Sequence, residues 1–453
     1  MKIIIIGGVA AGAKAAAKSR RLLPDAEIDL YTDDTHVSYS ACGIPYYIEG
    51  NFEDYRTLLV RSPEEFAKNN IFVHLQCRVS KILPECKKVL VQDLQSKSAY
   101  LASYDKLIIA TGARPFLPKI KNIALNNVFT VRRIEDAIAI REKIATSRNV
   151  VIVGGGYIGI EMLEAFVRQG LHVTLIERDE HIMSIFDYDM ADLIKEQLMS
   201  INNGQFEILT SETVTEFVGD NNGVNGVITD SGKRFDVDMA VICAGVTPNV
   251  DVAIDAGIQL GSTGAISVTP KMETNIPDIY ACGDCVQEYN IVSKMPTWMP
   301  LGSNANKEGR AAAMNACGFP ENFQGVLGSA VTRCLGLTMS ITGLTEIEAV
   351  AAGFEPVSVK VTKYDKVGYM PDANNITLKL LADKKSGRLL GAQGVGAGDA
   401  DKRINTLATA LLAKLTVEEF VNNDLTYAPP FSPTIDPLLN AAQILMTKVG
   451  QES

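Results

Sequence analysis

The chain has 453 residues, a formal net charge of −10 and a hydrophobic content of 47%, so about two to four domains with buried cores are expected and a mainly disordered chain is excluded. The acidic balance argues against a nucleic-acid binder, and eight cysteines are too few for a disulfide scaffold. No apolar run is long enough for a secretory signal or a membrane span, so we expect a cytoplasmic protein with no nucleic-acid or membrane partner.

The first predicted unit is a strand, a glycine-rich turn, a helix and a second strand. The strand Lys2 to Ile6 runs into the turn Gly7 to Gly12, the helix extends to about Leu23, and the next strand covers Glu27 to Tyr31. This βαβ order is typical of nucleotide-binding domains, in which the amino terminus of the helix faces a phosphate. Val9 stands where the middle glycine is expected, so a generic glycine turn remains the alternative.

A second βαβ unit carries the complete G-x-G-x-x-G fingerprint. The strand Asn149 to Val153 leads into Gly154, Gly156 and Gly159. These glycines allow a tight turn, close approach of the backbone to a pyrophosphate, and close packing of helix on strand. Glu177 ends the next strand, where its carboxylate is expected to bind both ribose hydroxyls and to repel a 2′-phosphate. The unit predicts an NADH site, with NADPH as the alternative because an arginine follows Glu177.

Three further strands run into glycine turns. They are Lys106 to Pro115, Met239 to Pro248 and Asp278 to Asp284, and after about residue 325 the pattern changes to a mixed α+β region. Two dinucleotide sites imply two dinucleotides, and the natural pair is a nicotinamide donor and a flavin that accepts its hydride. Asp284 is positioned to bind flavin ribityl hydroxyls, or alternatively to cap a helix.

These motifs, in this order, resemble those of FAD-dependent pyridine nucleotide-disulfide oxidoreductases. The segment Ser38 to Tyr47 resembles the branch with one active-site cysteine, which holds CoA-disulfide reductases, NADH oxidases and NADH peroxidases. The resemblance implies an α/β fold with two Rossmann-like domains, for FAD and NAD(P), and a C-terminal α+β dimerisation domain. The expected domains are 1–114 with 247–325 for FAD, 115–246 for NAD(P)H, and 326–453 for dimerisation.

The motifs and the resemblance together assign the cofactor contacts. Tyr157 is expected to gate the flavin face, Glu161 to orient the nicotinamide, and Lys307 to adjoin the flavin. The expected cofactor-binding residues are Gly7, Gly8, Ala11, Gly12, Thr32, Asp33, Ser38, Ala110, Thr111, Gly112, Arg114, Gly154, Gly156, Tyr157, Ile158, Gly159, Glu161, Glu177, Gly245, Gly283, Asp284 and Lys307.

Cys42 is the expected reactive residue. It has no cysteine four or five residues away, so it is expected to cycle as a mixed disulfide with a small thiol or as a sulfenic acid. Gly43 and Pro45 predict a helix start beside it, whose dipole would lower the thiol pKa. The spacing of Cys282 and Cys285 is that of a redox pair, but these cysteines bracket the expected flavin contacts and are interpreted as structural.

The positions of the histidines limit which residues could act as the acid–base catalyst. All four histidines lie within the first 181 residues, which excludes the C-terminal histidine of glutathione-reductase-like enzymes. Ala10 stands where NADH oxidases and peroxidases carry a histidine. The resemblance to CoA-disulfide reductases instead assigns the acid role to Tyr427 and Tyr369, which would complete the active site of the other subunit in a homodimer.

A basic stripe on the first helix suggests an anionic substrate. Lys14, Lys18 and Arg21 share one helix face, although an ordinary solvated face is the alternative. The expected substrate contacts are Lys14, Lys18, Arg21, Ser38, Ala41 and Arg61. We therefore expect an FAD-dependent NAD(P)H:disulfide oxidoreductase without a metal site, with CoA as its disulfide substrate or as an adduct on Cys42. The alternatives are an NADH oxidase or peroxidase, a persulfide reductase, and a flavin redox sensor with little turnover.

Overall fold

A computed structural model of the chain describes residues 1–450. The first region opens with the predicted βαβ unit, because the apolar first strand pairs in parallel with the strand that follows the helix. Its elements are β1 (Lys2–Ile6), α1 (Ala10–Leu22), β2 (Glu27–Tyr31), α2 (Ile44–Glu49), α3 (Pro63–Ala67), β3 (Ile71–His74), β4 (Cys77–Leu83), β5 (Lys88–Asp93), β6 (Ala99–Ser103), β7 (Lys106–Ile109) and β8 (Ala113–Pro115).

The second region contains the second predicted βαβ unit and a small antiparallel sheet. Its elements are β9 (Val128–Thr130), α4 (Ile134–Ile144), β10 (Asn149–Val153), α5 (Tyr157–Arg168), β11 (His172–Ile176), α6 (Tyr188–Ile201), β12 (Phe206–Leu209), β13 (Val214–Asp220), β14 (Gly223–Thr229), β15 (Arg234–Asp236), β16 (Met239–Ile242) and β17 (Val246–Pro248).

The rest of the chain adds one more strand to the first sheet and then builds a separate antiparallel sheet. Its elements are α7 (Asp251–Asp255), β18 (Ile279–Ala281), β19 (Glu288–Tyr289), β20 (Pro296–Thr297), α8 (Gly302–Ala316), β21 (Ala330–Cys334), β22 (Leu337–Gly343), α9 (Glu346–Ala351), β23 (Pro356–Tyr364), β24 (Asn375–Asp383), β25 (Leu389–Gly396), α10 (Ala400–Leu412), α11 (Val417–Val421) and α12 (Pro437–Met446).

The first large sheet is parallel, with strand order β18-β7-β1-β2-β3. Its central strand is a run of isoleucines buried on both faces, as parallel sheets require. On one face α1 packs so closely on α8 that a Cβ on Gly309 would lie 2.3 Å from the backbone oxygen of Ala11. The alanine-rich sequence of both helices permits this approach.

The sheet draws its strands from distant parts of the chain, since β18 pairs with β7 across the whole second region. This arrangement is the one expected of a discontinuous domain, although the predicted boundaries stay predictions. The second large sheet, β12-β11-β10-β16-β9, is also parallel. The third, β21-β22-β25-β24-β23, is antiparallel. The predicted α/β class, with two Rossmann-like units and a C-terminal α+β region, is confirmed.

Across residues 1–450, no helix combines the length and the apolar character needed to cross a membrane.

Candidate active site

A cavity of about 950 Å³ opens where the strands of the first sheet end. The loops that follow β1, β2, β7 and β18 converge at this edge, which is where parallel sheets bind ligands. Thirteen of the predicted site residues line it: Gly7, Gly8, Ala11, Thr32, Asp33, Ala41, Cys42, Ala110, Thr111, Gly112, Arg114, Gly283 and Asp284. The structure therefore brings the first fingerprint, the Ala110–Gly112 motif, Asp284 and the candidate reactive cysteine to one site.

Close backbone packing requires glycine at two positions of the first glycine loop. Gly7 has a φ of +107°, and a Cβ at this position would lie 2.0 Å from the backbone oxygen of Ala110. A Cβ on Gly12 would lie 1.8 Å from the oxygen of Gly7. No side chain caps the amino terminus of α1, and its first turn holds no acidic residue. The free N–H groups, the dipole of α1 and the cavity volume fit the pyrophosphate of a dinucleotide.

Arginines that the sequence analysis missed line the cavity on the side of β2. Asp33 pairs with Arg78 at 3.1 Å and with Arg133 at 3.0 Å. Arg132 reaches the other side, where its guanidinium lies 3.3 Å from a carboxylate oxygen of Asp284. The sequence signal for Arg132 and Arg133 is weak, because they are only two adjacent arginines after a short strand with no glycine motif beside them.

Cys42 lies in a short helical turn that leads directly into α2, so the predicted helix start is confirmed. The thiol is free and exposed to the cavity. Its pKa, however, is raised, first because surrounding protein atoms remove water and then because Glu161 and Asp284 add negative charge, while Arg132 acts in the opposite direction. The predicted lowering of the pKa by the helix is therefore wrong: burial and nearby carboxylates outweigh the dipole of a single short helix.

The second fingerprint lies outside this cavity, at the end of β10. A Cβ on Gly154 would lie 2.5 Å from the backbone oxygen of Cys243, and one on Gly159 would lie 2.0 Å from the oxygen of Gly154. Gly156 differs, because a Cβ there would meet no heavy atom within 4 Å. Two of these glycines are thus required by packing, and Gly156 leaves open space for a ligand. Ile158 is half-buried in the first turn of α5, and Gly245 is exposed with a φ of +99°.

Glu177 closes the second glycine loop. Its carboxylate accepts hydrogen bonds from the backbone N–H groups of Gly155 at 2.6 Å and Asp179 at 2.8 Å. These bonds hold the negative charge at the end of β11, beside the open space at Gly156. The carboxylate retains acceptor capacity for ribose hydroxyls, since each oxygen has two lone pairs.

Helix α5 connects the second fingerprint with the cavity. Tyr157 is half-buried at its first turn, and burial raises the pKa of its hydroxyl. One turn later, Glu161 accepts a hydrogen bond from the Thr332 hydroxyl at 3.1 Å, and burial raises the pKa of Glu161. The charge of Glu161 acts on Cys42, so one helix links the predicted nicotinamide site to the thiol.

Several predicted residues do not line the cavity. Ser38 supports it from behind, since its N–H donates to the Gly8 oxygen at 2.7 Å. The lysines and arginines that were predicted to bind the substrate or to adjoin the flavin are half-buried or exposed. They are Lys14, Lys18, Arg21, Arg61 and Lys307. Their roles stay predictions.

The two predicted catalytic tyrosines also lie away from the cavity of their own chain. Tyr369 is 71% exposed and Tyr427 is 51% exposed. Their loops lie side by side, because the N–H of Val367 donates to the oxygen of Pro429 at 3.3 Å. Two exposed aromatic residues on adjacent loops are compatible with a contact to a second subunit, as the sequence predicts.

One further cluster combines a histidine with carboxylates. Asp34, His36 and Glu135 each bring one ligand atom within 4.8 Å of the others. The hydroxyls of Tyr39 and Thr35 already donate to Asp34 and Glu135, respectively. Both carboxylates already have a donor within the protein, while Glu135 Oε2 is buried without a hydrogen-bond partner among residues 1–450, and we assign no metal to the cluster.

Comparison with protein-family models gives two matches. A model described as pyridine nucleotide-disulphide oxidoreductase matches residues 1–309, and the dimerisation domain of the same family matches residues 332–438. Together they cover the cavity, both fingerprints and the C-terminal sheet.

Curated relatives match along almost the whole chain. The NAD(P)H coenzyme A polysulfide/persulfide reductase of Pyrococcus horikoshii is 37% identical and covers 98% of each chain. The NADH oxidase of Methanocaldococcus jannaschii is 33% identical over 100% of each chain. The coenzyme A disulfide reductase of Staphylococcus aureus is 32% identical over 95% of this chain and 96% of its own.

A solved structure agrees with these relatives. The NAD-dependent persulfide reductase from A. fulgidus superposes with a TM-score of 0.95 at 36% identity, over 99% of this chain and 83% of that one. All of these similar proteins are oxidoreductases by name.

Proposed function

The chain belongs to the pyridine nucleotide-disulphide oxidoreductase family, and on that premise we propose that it uses NADH and FAD to reduce a small disulfide, CoA disulfide above all. Bound FAD supplies the two-electron relay between a nicotinamide and a disulfide. The proposal assigns FAD to the cavity beside Cys42 and NADH to the second glycine fingerprint. NADPH is the alternative donor.

The chain's own residues fit the two cofactors. The amino terminus of α1 and the backbone of the first glycine loop would bind the FAD pyrophosphate. Asp284 would bind the ribityl hydroxyls, with Arg132 holding its carboxylate in place at 3.3 Å. Glu177 would bind the ribose of NADH beside Gly156, and Tyr157 would cover the flavin face.

Cys42 would act as the nucleophile. Its thiolate attacks one sulfur of the disulfide, so that a Cys42 mixed disulfide forms and one thiolate leaves and takes up a proton. Two electrons and a further proton then convert the mixed disulfide into the Cys42 thiolate and a second free thiol. Arg132 favours the thiolate form, because its positive charge lowers a pKa that burial raises. Lys14, Lys18, Arg21 and Arg61 are proposed to attract the phosphates of CoA, with Ser38 and Ala41 near the thiol end.

The proton for the leaving thiolate is assigned to Tyr427 and Tyr369 of a second copy of the chain. Both hydroxyls are exposed in the single chain, and the family match includes a dimerisation domain. A homodimer would therefore complete each site with the tyrosines of the other subunit.

The observation that carries this proposal is a free, exposed Cys42 in the wall of the cavity. A persulfide reductase is the second candidate, favoured by the higher identity to the P. horikoshii and A. fulgidus proteins. The same thiolate would attack the outer sulfur of a CoA persulfide, so that the S–S bond breaks, the CoA thiolate leaves and takes up a proton, and a persulfide forms on Cys42. Two electrons and one further proton would then convert this persulfide into the Cys42 thiolate and hydrogen sulfide. An NADH oxidase is disfavoured by Ala10, which cannot transfer a proton.

The test compares wild type, Cys42→Ser and Cys86→Ser, since Cys86 is also an exposed cysteine but is remote in sequence from the motif. NADH consumption is measured with CoA disulfide, CoA persulfide, glutathione disulfide, peroxide and oxygen. We expect CoA disulfide turnover in wild type and Cys86→Ser and its loss in Cys42→Ser, with flavin reduction by NADH retained. Mass spectrometry of purified wild type is expected to find CoA on Cys42.

Other results identify the alternatives. Equal CoA disulfide turnover in Cys42→Ser would contradict the proposal. Preference for CoA persulfide identifies the persulfide reductase, and a sulfenic acid on Cys42 with peroxide turnover identifies the peroxidase. Flavin reduction without turnover of any acceptor identifies a redox sensor.

A further inference from the structure

Two carboxyl groups are buried behind the wall of the cavity. Glu308 lies on α8 and is 1% exposed, and Glu288 lies on β19 and is 5% exposed. Carboxylates are rarely buried to this degree unless a cation pairs with them. Neither forms an ion pair with a lysine or arginine in the part of the chain that the structure describes, and the charges acting on them are their own and that of Asp284.

Each carboxyl group has one oxygen bound and one oxygen free. Glu308 Oε2 accepts from the N–H of Gly283 at 2.6 Å, and Glu288 Oε2 accepts from the N–H of Met299 at 2.9 Å. The Oε1 atoms of both residues are buried without a hydrogen-bond donor among residues 1–450. The two side chains line the same small pocket, and each affects the pKa of the other. A single proton between the carboxyl groups would satisfy both orphaned oxygens.

Two ionised carboxylates in this position would be costly. Burial removes the water that stabilises each charge, and the charges repel one another in a medium of low dielectric. Burial raises the pKa of both groups, the charge of Glu308 raises the pKa of Glu288 further, and Asp284 adds to the increase in both, so the two groups titrate as a pair. Asp284 adds negative charge from the neighbouring turn, although Arg132 pairs with Asp284 on the cavity side.

The bound oxygens connect two turns of the cavity wall. Gly283 and Asp284 form one turn, Met299 and Pro300 form the other, and all except Met299 line the cavity. The indole N–H of Trp298 adds a further link, because it donates to the backbone oxygen of Asp284 at 2.9 Å. The carboxyl pair therefore lies where the two turns meet.

We propose that Glu288 and Glu308 are positioning residues that share one proton, and that this proton fastens the Gly283–Asp284 turn to the Met299–Pro300 turn. The inference rests on the proposed function in so far as the cavity binds the flavin. Loss of the proton places two negative charges face to face, separates the turns and moves Asp284 away from the cofactor.

The pH dependence has a definite sign. A carboxyl group with a raised pKa in the folded state stabilises that state at low pH, and this contribution is lost as the pH rises through the raised value. The fastened state is therefore present at neutral pH and is lost in alkaline solution. Because one proton is involved, we expect the rate of flavin release to rise by about tenfold per pH unit as the pH approaches the transition and to level off above it.

Trp298 provides a built-in probe, since it is the only tryptophan of the chain. The experiment uses the purified full-length flavoprotein and follows Trp298 emission, flavin release and the thermal midpoint from neutral to alkaline pH. In Glu308→Gln the amide oxygen still accepts from Gly283, and the amide N–H donates to Glu288 without a shared proton. Glu321→Gln is the control, because Glu321 forms an ion pair with Arg310 of the same helix and does not contact the carboxyl pair.

We expect an alkaline transition in all three signals for wild type and Glu321→Gln, and its absence in Glu308→Gln. A transition that is unchanged in Glu308→Gln overturns the proposal. If that variant does not fold, Glu288→Gln replaces it. In Glu288→Gln the new amide N–H at position 288 donates to the carboxylate of Glu308. None of these signals depends on the acceptor. If wild type reduces no disulfide but shows the transition, and Glu308→Gln lacks it, the proposed reaction is refuted and the shared proton is supported. If wild type shows no transition, the shared proton is refuted whatever the protein reduces.

Discussion

The guanidinium of Arg403 and the carboxylate of Asp436 form an ion pair at 3.0 Å with both side chains buried. Asp436 follows the loop that carries Tyr427. Arg403 also donates to the backbone oxygen of Asp365 at 2.7 Å, just before the loop that carries Tyr369. One buried arginine therefore anchors both loops that present the proposed proton donors.

Replacement of Arg403 tests this anchoring role. Arg403→Met leaves Asp436 as an unpaired buried charge, which is expected to lower the free energy of unfolding by about 3–5 kcal/mol. We further expect disulfide reduction to fall more than electron transfer from NADH to an artificial one-electron acceptor, which needs no tyrosine. Denaturant unfolding and the two assays measure these effects. Lys363→Met, at an exposed position of β23, is the control, and equal loss of both activities would contradict a positioning role.

Opposing charges set the reactivity of Cys42. Glu161 raises the thiol pKa and Arg132 lowers it. Glu161→Gln removes the negative charge but keeps an acceptor for Thr332, so we expect the Cys42 pKa to fall by up to about one unit. Arg132→Met is expected to raise it. The pH dependence of Cys42 alkylation, read by mass spectrometry, measures the pKa. Glu180→Gln is the remote control, and a thiol pKa that is the same in wild type and Glu161→Gln would refute the coupling.

The fold was predictable because its signals are local. A strand, a glycine turn and a helix follow one another within about 30 residues in each βαβ unit, and β1 and β10 begin and end where the apolar runs do. The glycines that backbone packing requires were predictable for the same reason. At four positions of the two fingerprints a Cβ would collide with a backbone oxygen, so only glycine fits. These positions are Gly7, Gly12, Gly154 and Gly159.

The parts of the site that the sequence did not predict depend on packing between distant segments. Arg132 and Asp284 are 152 positions apart in the sequence, so no local pattern links them. Glu308 belongs to a segment noted for its neighbour Lys307, yet Glu308 is the buried member of the two. The thiol pKa of Cys42 was predicted in the wrong direction because the helix start is visible in the sequence and the charge of Glu161 is not.

The nicotinamide preference is predicted to depend on the charge of Glu177. Glu177→Gln retains one acceptor oxygen for the N–H of Gly155, gives up the bond from Asp179 and no longer repels a 2′-phosphate, so we expect the NADPH/NADH ratio of kcat/KM to rise about tenfold. Steady-state kinetics with both donors measure the ratio. Glu207→Gln, on the exposed edge strand β12, is the control. An unchanged ratio in Glu177→Gln would show that another residue selects the donor.

The second fingerprint has a packing role and a binding role, which substitutions at two of its glycines separate. At Gly156 an added methyl group meets no protein atom within 4 Å and the φ of −79° suits any residue, so Gly156→Ala is expected to keep the thermal midpoint and the flavin content of wild type. The methyl group enters the space left for the dinucleotide, so we expect the KM for NADH to rise by about tenfold or more. Gly154→Ala, with a φ of +108° and a Cβ 2.5 Å from the oxygen of Cys243, is expected to destabilise the fold itself. Wild-type NADH kinetics in Gly156→Ala would mean that NADH binds elsewhere.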